Sequence, residues 1–432
     1  SYVLGLLWNP STHIANTTGN TLVALQQVYE RATAAGIGTL MGREAGERVA
    51  PGEGAAYLYG MSSSIRDAFR LASEALRTGQ SAHLPGTFDR PRTPAITAAA
   101  FNLDEAGGLG RFVDYVGRVT RLPGHLLAGA DAFFSTLNFR GEVHAQALRQ
   151  AWSEGLRDDA MVRRVAELVA NPSEAIRLRA ADSALYATFQ NEPGRIGQAL
   201  SRLRNARGAD DSVASQLNPM FLVMPYVRTP SNIMAYTFER TPLAPLVEHW
   251  RADVAAGGAR RDLALARMAT GSAILLAGLD AANNGLITGG GPDRGAGREV
   301  LARQGWQPYS VRVGDTYVSY NRLDPLGMML ATAANLHEAF TRGDVQPEDV
   351  DEWNEVLAAG ITAISRSVVD RSYFRGTADL FALIHDPRQQ TRGYVNNLVA
   401  SSMPLTSLFG AAERALDPAM RETNSPLDAV QA

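Results

Sequence analysis

The sequence predicts an all-α fold, a multi-helix array carrying one small β-hairpin at about residues 309–320. Three observations carry that prediction. Apolar residues recur at three- and four-residue steps along most of the chain, proline or glycine interrupts them about every 20 to 30 residues, and a single stretch alternates with period two. With 432 residues, 45% of them hydrophobic, the chain can bury a sizeable core. Its composition and punctuation divide it into four segments: an N-terminal helical segment over 1–100, a helical array over 101–210, proline-punctuated apolar helices with the hairpin over 211–345, and a C-terminal helical segment over 346–432.

The first helix follows the break at Asn9-Pro10, is capped by Ser11 and runs towards Ala34. A second spans about Gly54 to Thr78, with Leu58, Ile65, Phe69, Ala72 and Leu76 as its buried face. Residues 79–97 have no helical period and contain three prolines, so they read as a loop. The pattern resumes at Leu109, stops at Leu122-Pro123-Gly124, where proline is expected to start a new helix, and continues to Trp152. Further helices are expected over Asp159 to Ala170 and, after Asn171-Pro172-Ser173-Glu174, to about Phe189.

Prolines at 219, 225, 230, 242 and 245 then shorten the helices around an apolar stretch, Asn218 to Val227. An arginine-flanked helix, Arg260 to Asn283, carries the longest apolar run, Met268 to Leu279. At 12 residues that run is shorter than the 18 or more expected of a spanning helix. Gly289 to Gly295 has neither a preceding strand nor a lysine, so it reads as a flexible loop and not as a phosphate-binding one.

Tyr309–Val313 and Thr316–Tyr320 alternate around Gly314-Asp315, glycine first, as a type II′ hairpin requires. That register pairs Val313 with Thr316, Val311 with Val318 and Tyr309 with Tyr320. A lone hairpin is marginal in water, so it must pack on helices or be extended by another strand. Asp324-Pro325 opens a helix with Leu326, Met329, Leu330, Ala333, Leu336 and Phe340 as its buried stripe, and Pro347 starts another whose first turns hold Glu348, Asp349, Asp351 and Glu352, suited to a positive helix N-terminus.

All 41 basic residues are arginine, and cysteine is absent. The first absence is read as the codon bias of a GC-rich genome. It removes the phosphate-loop lysine, Schiff-base lysines and the Ser-Lys dyad; the second removes thiol nucleophiles, cysteinyl zinc and disulfides. A net charge of −3 argues against a generic charge-driven nucleic-acid binder. The seven histidines are scattered, none paired at metal-ligand spacing on one helix, and no HExxH, calcium loop or GxSxG is present. His249, between Glu248 and Trp250, reads as a surface or satisfied histidine. Neither cofactor nor metal is expected, and no catalytic residue is assigned. The chain opens Ser-Tyr-Val-Leu without methionine or a cleavable leader, as a fragment or processed product would.

Three groups remain as candidates for binding. Arg202, Arg204 and Arg207 with Arg260, Arg261 and Arg267 could meet phosphate, of DNA or of lipid headgroups. Tyr309, Val311, Val313, Val318 and Tyr320 could form a subunit contact through the hairpin. Phe221, Leu222 and Val223 with Ile274, Leu275 and Leu276 could be apolar segments that rearrange or meet a membrane.

Six stretches, in order along nearly the whole chain, carry a resemblance: NPSTHIANTTGN (9–20), RLPGHLLAGADAFFSTLNFRGEVHAQAL (121–148), PYVRTPSNIMAYTFERTPLAPL (225–246), GWQPYSVRVGDTYVSYNRLDPLG (305–327), DRSYFRGTADLF (370–381) and DPAMRE (417–422). Together they resemble the helical region near the C-terminal end of very large bacteriophage polyvalent or internal virion proteins. The resemblance implies a non-enzymatic, mainly helical ejection protein. It would be a homo-oligomer, partnered by other virion, ejection or tail proteins, by phage DNA and, after ejection, by the host membrane. Its place would be the virion, then the host periplasm and inner membrane. The alternatives are a DNA- or headgroup-binding module of a large polyvalent protein and a peptidoglycan hydrolase. The last lacks the glutamate-serine step of the lytic transglycosylases.

Overall fold

A computed structural model describes residues 10–79, 97–99, 103–104, 106–205, 227–292 and 296–342, with 360, 363 and 367. Among these residues are twelve α-helices and one two-stranded antiparallel hairpin, the all-α array that the periodicity predicts. The expected loop at 79–97, the apolar stretch 218–226 and the acidic helix start at 347 lie almost wholly outside the described residues.

Helix α1 (Pro10–Leu40) lies between two groups. On one side are α2 (Glu53–Ser63), α3 (Ile65–Thr78), α4 (Gly108–Ser153), α5 (Asp158–Ala170) and α6 (Glu174–Ala187), with α4 flanked by the other four. On the other, α10 (Gly258–Asn283) packs on α1, on α9 (Glu248–Ala256) and on α12 (Leu326–Arg342). The short helices α7 (Arg195–Asn205), α8 (Arg228–Phe238) and α11 (Ala296–Arg303) complete the set.

The stretch 54–78 forms two helices instead of one. Ser62, Ser63 and Ser64 each donate their hydroxyl to the carbonyl three residues back, at 3.0, 3.2 and 3.0 Å, and such local bonds compete with the helix ladder. Of the expected face only Ala72 is buried: α3 turns inward Ala68, Ala72 and Ala75, while Leu58, Ile65, Phe69 and Leu76 are exposed. Pro123, expected to start a helix, sits inside the 46-residue α4. An interior proline forfeits one N–H and crowds the carbonyl four residues back, about 3 kcal/mol, yet its φ stays helical, so α4 passes through it. By contrast α5 and α6 begin where expected, and the Ser173 hydroxyl caps α6 by accepting from the Ile176 N–H at 3.3 Å.

Strands β1 (Ser310–Val313) and β2 (Thr316–Ser319) pair in the expected register, with Val311 opposite Val318 and Val313 opposite Thr316. Gly314 takes φ 62° and Asp315 stays out of the left-handed region, as the II′ turn asks. The other edge of β1 is taken by this chain itself: Ile287 bridges Val311, and Arg312 N–H donates to the Leu286 carbonyl at 2.8 Å. In the glycine loop, the N–H groups of Gly289 and Gly291 donate to the two Glu338 carboxylate oxygens at 2.9 and 3.0 Å, and that of Gly290 to Asn335 at 2.8 Å. A side chain of α12 therefore occupies the cradle in which a phosphate would have to sit. Helix α12 is buried over most of its circumference, including Met328, Ala331, Thr332, Ala334 and Asn335, which a single stripe did not anticipate.

The core is split into several small clusters rich in alanine. Val23, Ile233, Tyr236, Leu243 and Met328 form one, Val143, Ala147, Leu168 and Ile176 a second, and Ala75, Ala128 and Ala132 a third. Between them run buried charges.

Candidate functional site: a buried network of arginines and carboxylates

On α1, Glu30 and Arg31 fall on the same helical stripe as Val23, Gln27 and Ala34, so the fold places adjacent opposite charges in the interior. They serve different networks. Arg240, just past α8 and wholly buried, donates Nε and Nη2 to the two Glu30 oxygens at 2.7 and 2.8 Å. This bidentate pair is the geometry for which guanidinium is suited. Its third nitrogen donates to the Tyr186 hydroxyl at 3.0 Å and to the Tyr236 carbonyl at 3.1 Å, while the Tyr236 ring lies beneath the guanidinium.

The neighbouring Glu239 points the other way. It accepts from the Tyr186 hydroxyl and, at 2.9 Å, binds Nδ1 of His249, whose ring stacks on Tyr186 with centroids 5.6 Å apart. Asp253 accepts from Arg260 at 2.9 and 2.6 Å and from Arg267 at 3.2 Å. Arg267 lies 4.0 Å from both Glu239 and Glu30 and covers the Tyr186 ring. Five helices, α1, α6, α8, α9 and α10, are thus tied at one point. What permits it is Gly271 of α10. A Cβ there would stand 2.1 Å from the Arg240 carbonyl oxygen.

Arg31 enters the second network. It pairs with Glu142 of α4 and lies over the Tyr57 ring at 4.5 Å. Glu142 also accepts from Gln146 at 2.6 Å and Ser183 at 3.2 Å, and Glu53 takes two bonds of 2.6 Å from Arg149. Burial opposes ionisation of Glu142, but Arg31 and the bond from Gln146 together hold its carboxyl below the usual range. The same balance holds Glu239 low, burial being outweighed by the His249 bond and by Arg267. Every carboxylate in these networks is engaged in joining helices. Among the described residues no group of three or more His, Asp or Glu is placed to bind a metal ion.

The bond to Glu239 raises the His249 pKa above its ordinary value, with Asp253 acting in the same direction and burial and Arg267 against it. A raised folded-state pKa means that the contact stabilises fully below the unfolded value of about 6.5 and fades as pH rises through the folded value. Thermal unfolding between about pH 5.5 and 8.5 checks this. The Tm difference between the protein and His249→Gln is expected to be widest at the acid end and to close at the alkaline end. A gap that is constant or grows with pH contradicts it.

The residues singled out from sequence are distributed as follows. Arg267, a candidate phosphate contact, is instead a central cation of the network, because α10 turns it onto Tyr186 and Asp253. Arg260 is exposed but paired with Asp253, Arg261 is half-buried, and Arg202 is exposed on α7. Arg204 lies on α7 with its side chain outside the described set, as are Arg207, Phe221, Leu222 and Val223. Tyr309 and Tyr320, candidate subunit contacts, are core residues: the Tyr320 hydroxyl donates to the Thr288 carbonyl at 2.6 Å, and both rings pack on Ala282 and Ala334. Val311 is half-buried; Val313 and Val318 remain exposed. Ile274 and Leu275 are half-buried and Leu276 is exposed.

The 12-residue apolar run is part of the 26-residue α10, which among the described residues is the one helix long and apolar enough, by length and composition, to cross a membrane. Here its small residues Ala264, Ala266, Gly271 and Gly278 are buried instead. His249, expected as a surface or satisfied histidine, is half-exposed and held by Glu239. Glu30, Glu239 and Arg240, all buried in the network, are not among the residues singled out from sequence.

Comparison with known proteins found no matching family model, no matching curated protein and no matching solved structure.

Proposed function

We propose that this chain is a structural segment of a bacteriophage internal virion protein, ejected with the genome and assembling as a homo-oligomer into a conduit across the host envelope. The observation that carries the proposal is the make-up of the interior: small alanine clusters joined by buried ion pairs, in place of one large apolar core. A chain that must pass a narrow tail has to come apart and re-form. Opening a charged network returns its groups to water, which offsets part of the cost, and small clusters can open one at a time.

The stretches that resemble the phage family supply one partner at some of the joints, though not at Arg149–Glu53 or at Asp253 with Arg260 and Arg267. Asn138 and Glu142 belong to the second stretch, Tyr236, Glu239 and Arg240 to the third, and Tyr309 and Tyr320 to the fourth. Val313 and Val318, exposed towards the turn end of the hairpin, are the remaining candidates there for contact between copies. Mass spectrometry of purified particles and of envelope fractions from infected cells tests the proposal. The chain is expected in the particles and, after adsorption, in the envelope fraction. Its absence from particles contradicts the proposal.

A further inference from the structure

Helix α3 presents three strips in turn around its axis. Ala68, Ala72 and Ala75 are buried against α4; next come Ile65, Phe69 and Leu76, exposed; beyond them stand Arg66, Arg70 and Arg77, also exposed. The middle strip merges with one on α4. Phe69 lies 4.9 Å from Phe133 between ring centroids, and Leu76 seats where a Cβ on Gly129 would come within 2.6 Å of it. Counting back from Phe133 and Gly129 in helical steps, the same stripe of α4 carries Leu126, Leu122 and Phe112, all exposed. Phe69 and Phe112 are 63% and 62% exposed. At 1.5 Å per residue, the stripe from Phe112 to Phe133 is roughly 30 Å long, more than a scatter of single apolar residues.

Its border is cationic. Arg111 and Arg118 are exposed beside the α4 stripe, and of these five arginines only Arg70 meets a carboxylate among the described residues, Asp67 at 3.7 Å. A second copy docked ridge to ridge would set one arginine row against another, which costs free energy. An anionic bilayer surface complements both features: acyl chains take the apolar ridge, and headgroup phosphates take the arginines. We infer that the face formed by α3 and the first half of α4 docks on an anionic lipid surface. This names a lipid partner for the conduit function proposed above and rests on that reading only for its biological setting. Vesicle binding can fail while the chain is still found in particles, and the reverse.

The test uses the whole chain in vesicle co-sedimentation, with phosphatidylcholine alone and with about 30% phosphatidylglycerol added. The protein is expected to sediment with the anionic vesicles only, to weaken about fivefold for each of Arg66, Arg70 and Arg77 changed to alanine, and to release as salt rises. Leu122→Ser, on an exposed residue, should weaken binding while leaving the unfolding midpoint in place. No binding, equal binding to neutral vesicles, or binding unaffected by these variants overturns the inference. So does light scattering without lipid that shows Leu122→Ser turning an oligomer into a monomer while vesicle binding is unchanged, which would make the face a subunit contact.

Discussion

Replacing Arg240 by methionine is expected to lower the free energy of unfolding by about 3–5 kcal/mol, the cost of leaving a buried charge without its partner. The stranded group is Glu30, 2% exposed, both of whose oxygens are taken by Arg240. Arg267 is the nearest other cation, but at 4.0 Å from Glu30 and already committed to Asp253 it cannot replace a bidentate partner. The loss also removes a donor from the Tyr186 hydroxyl and from the Tyr236 carbonyl. Equilibrium denaturation in urea measures it. A change below about 1 kcal/mol, the range of an exposed pair, would mean that Glu30 finds water or a new partner and that the joint is not closed.

Gly271→Ala is the second large effect. The added methyl would be 2.1 Å from the Arg240 carbonyl oxygen and 2.7 Å from its carbonyl carbon, and a backbone cannot move aside as a flexible side chain can. Overpacking of this kind costs about 1–3 kcal/mol, and at a backbone contact the upper end is expected; better helix propensity returns about 1 kcal/mol, for a net loss of about 2 kcal/mol. Gly36→Ala on α1 is the control. That position is exposed, helical and has no atom within 4 Å of the added Cβ, so the same substitution should stabilise by about 0.4–1 kcal/mol. Opposite signs in one pair of denaturation curves identify close backbone approach as the cause; two equal shifts refute it.

Helix existence was legible because the three- and four-residue period is a local property, and so was the hairpin register, which Gly314-Asp315 imposes. What covers each apolar face is not local. Ile65, Phe69 and Leu76 have the spacing of a buried stripe and yet are exposed, because α3 turns its alanines and not its large side chains towards α4. Pro123 is ambiguous in the same way: proline starts helices and also rides inside long ones, and nothing nearby distinguishes the two.

The network was hidden for another reason. Glu239-Arg240, followed by Thr241-Pro242, has the look of a polar turn at a helix end, where charges are usually solvated. One signal was present: Glu30 and Arg31 interrupt the stripe of Val23, Gln27 and Ala34, and charges at core positions of a helix call for buried partners. Their identity depended on α1 meeting α8 from 210 residues away.

The central claim is that buried ion pairs, more than a continuous apolar core, lock these helices together. A double-mutant cycle of Arg240→Met and Glu30→Met tests it most directly, read as unfolding free energies. If the pair is a closed joint, the double variant, with no charge left stranded, recovers much of the loss, so that the two changes couple by about 2 kcal/mol or more. If the costs simply add, to within about 0.5 kcal/mol, the two residues are not one joint and the account is contradicted.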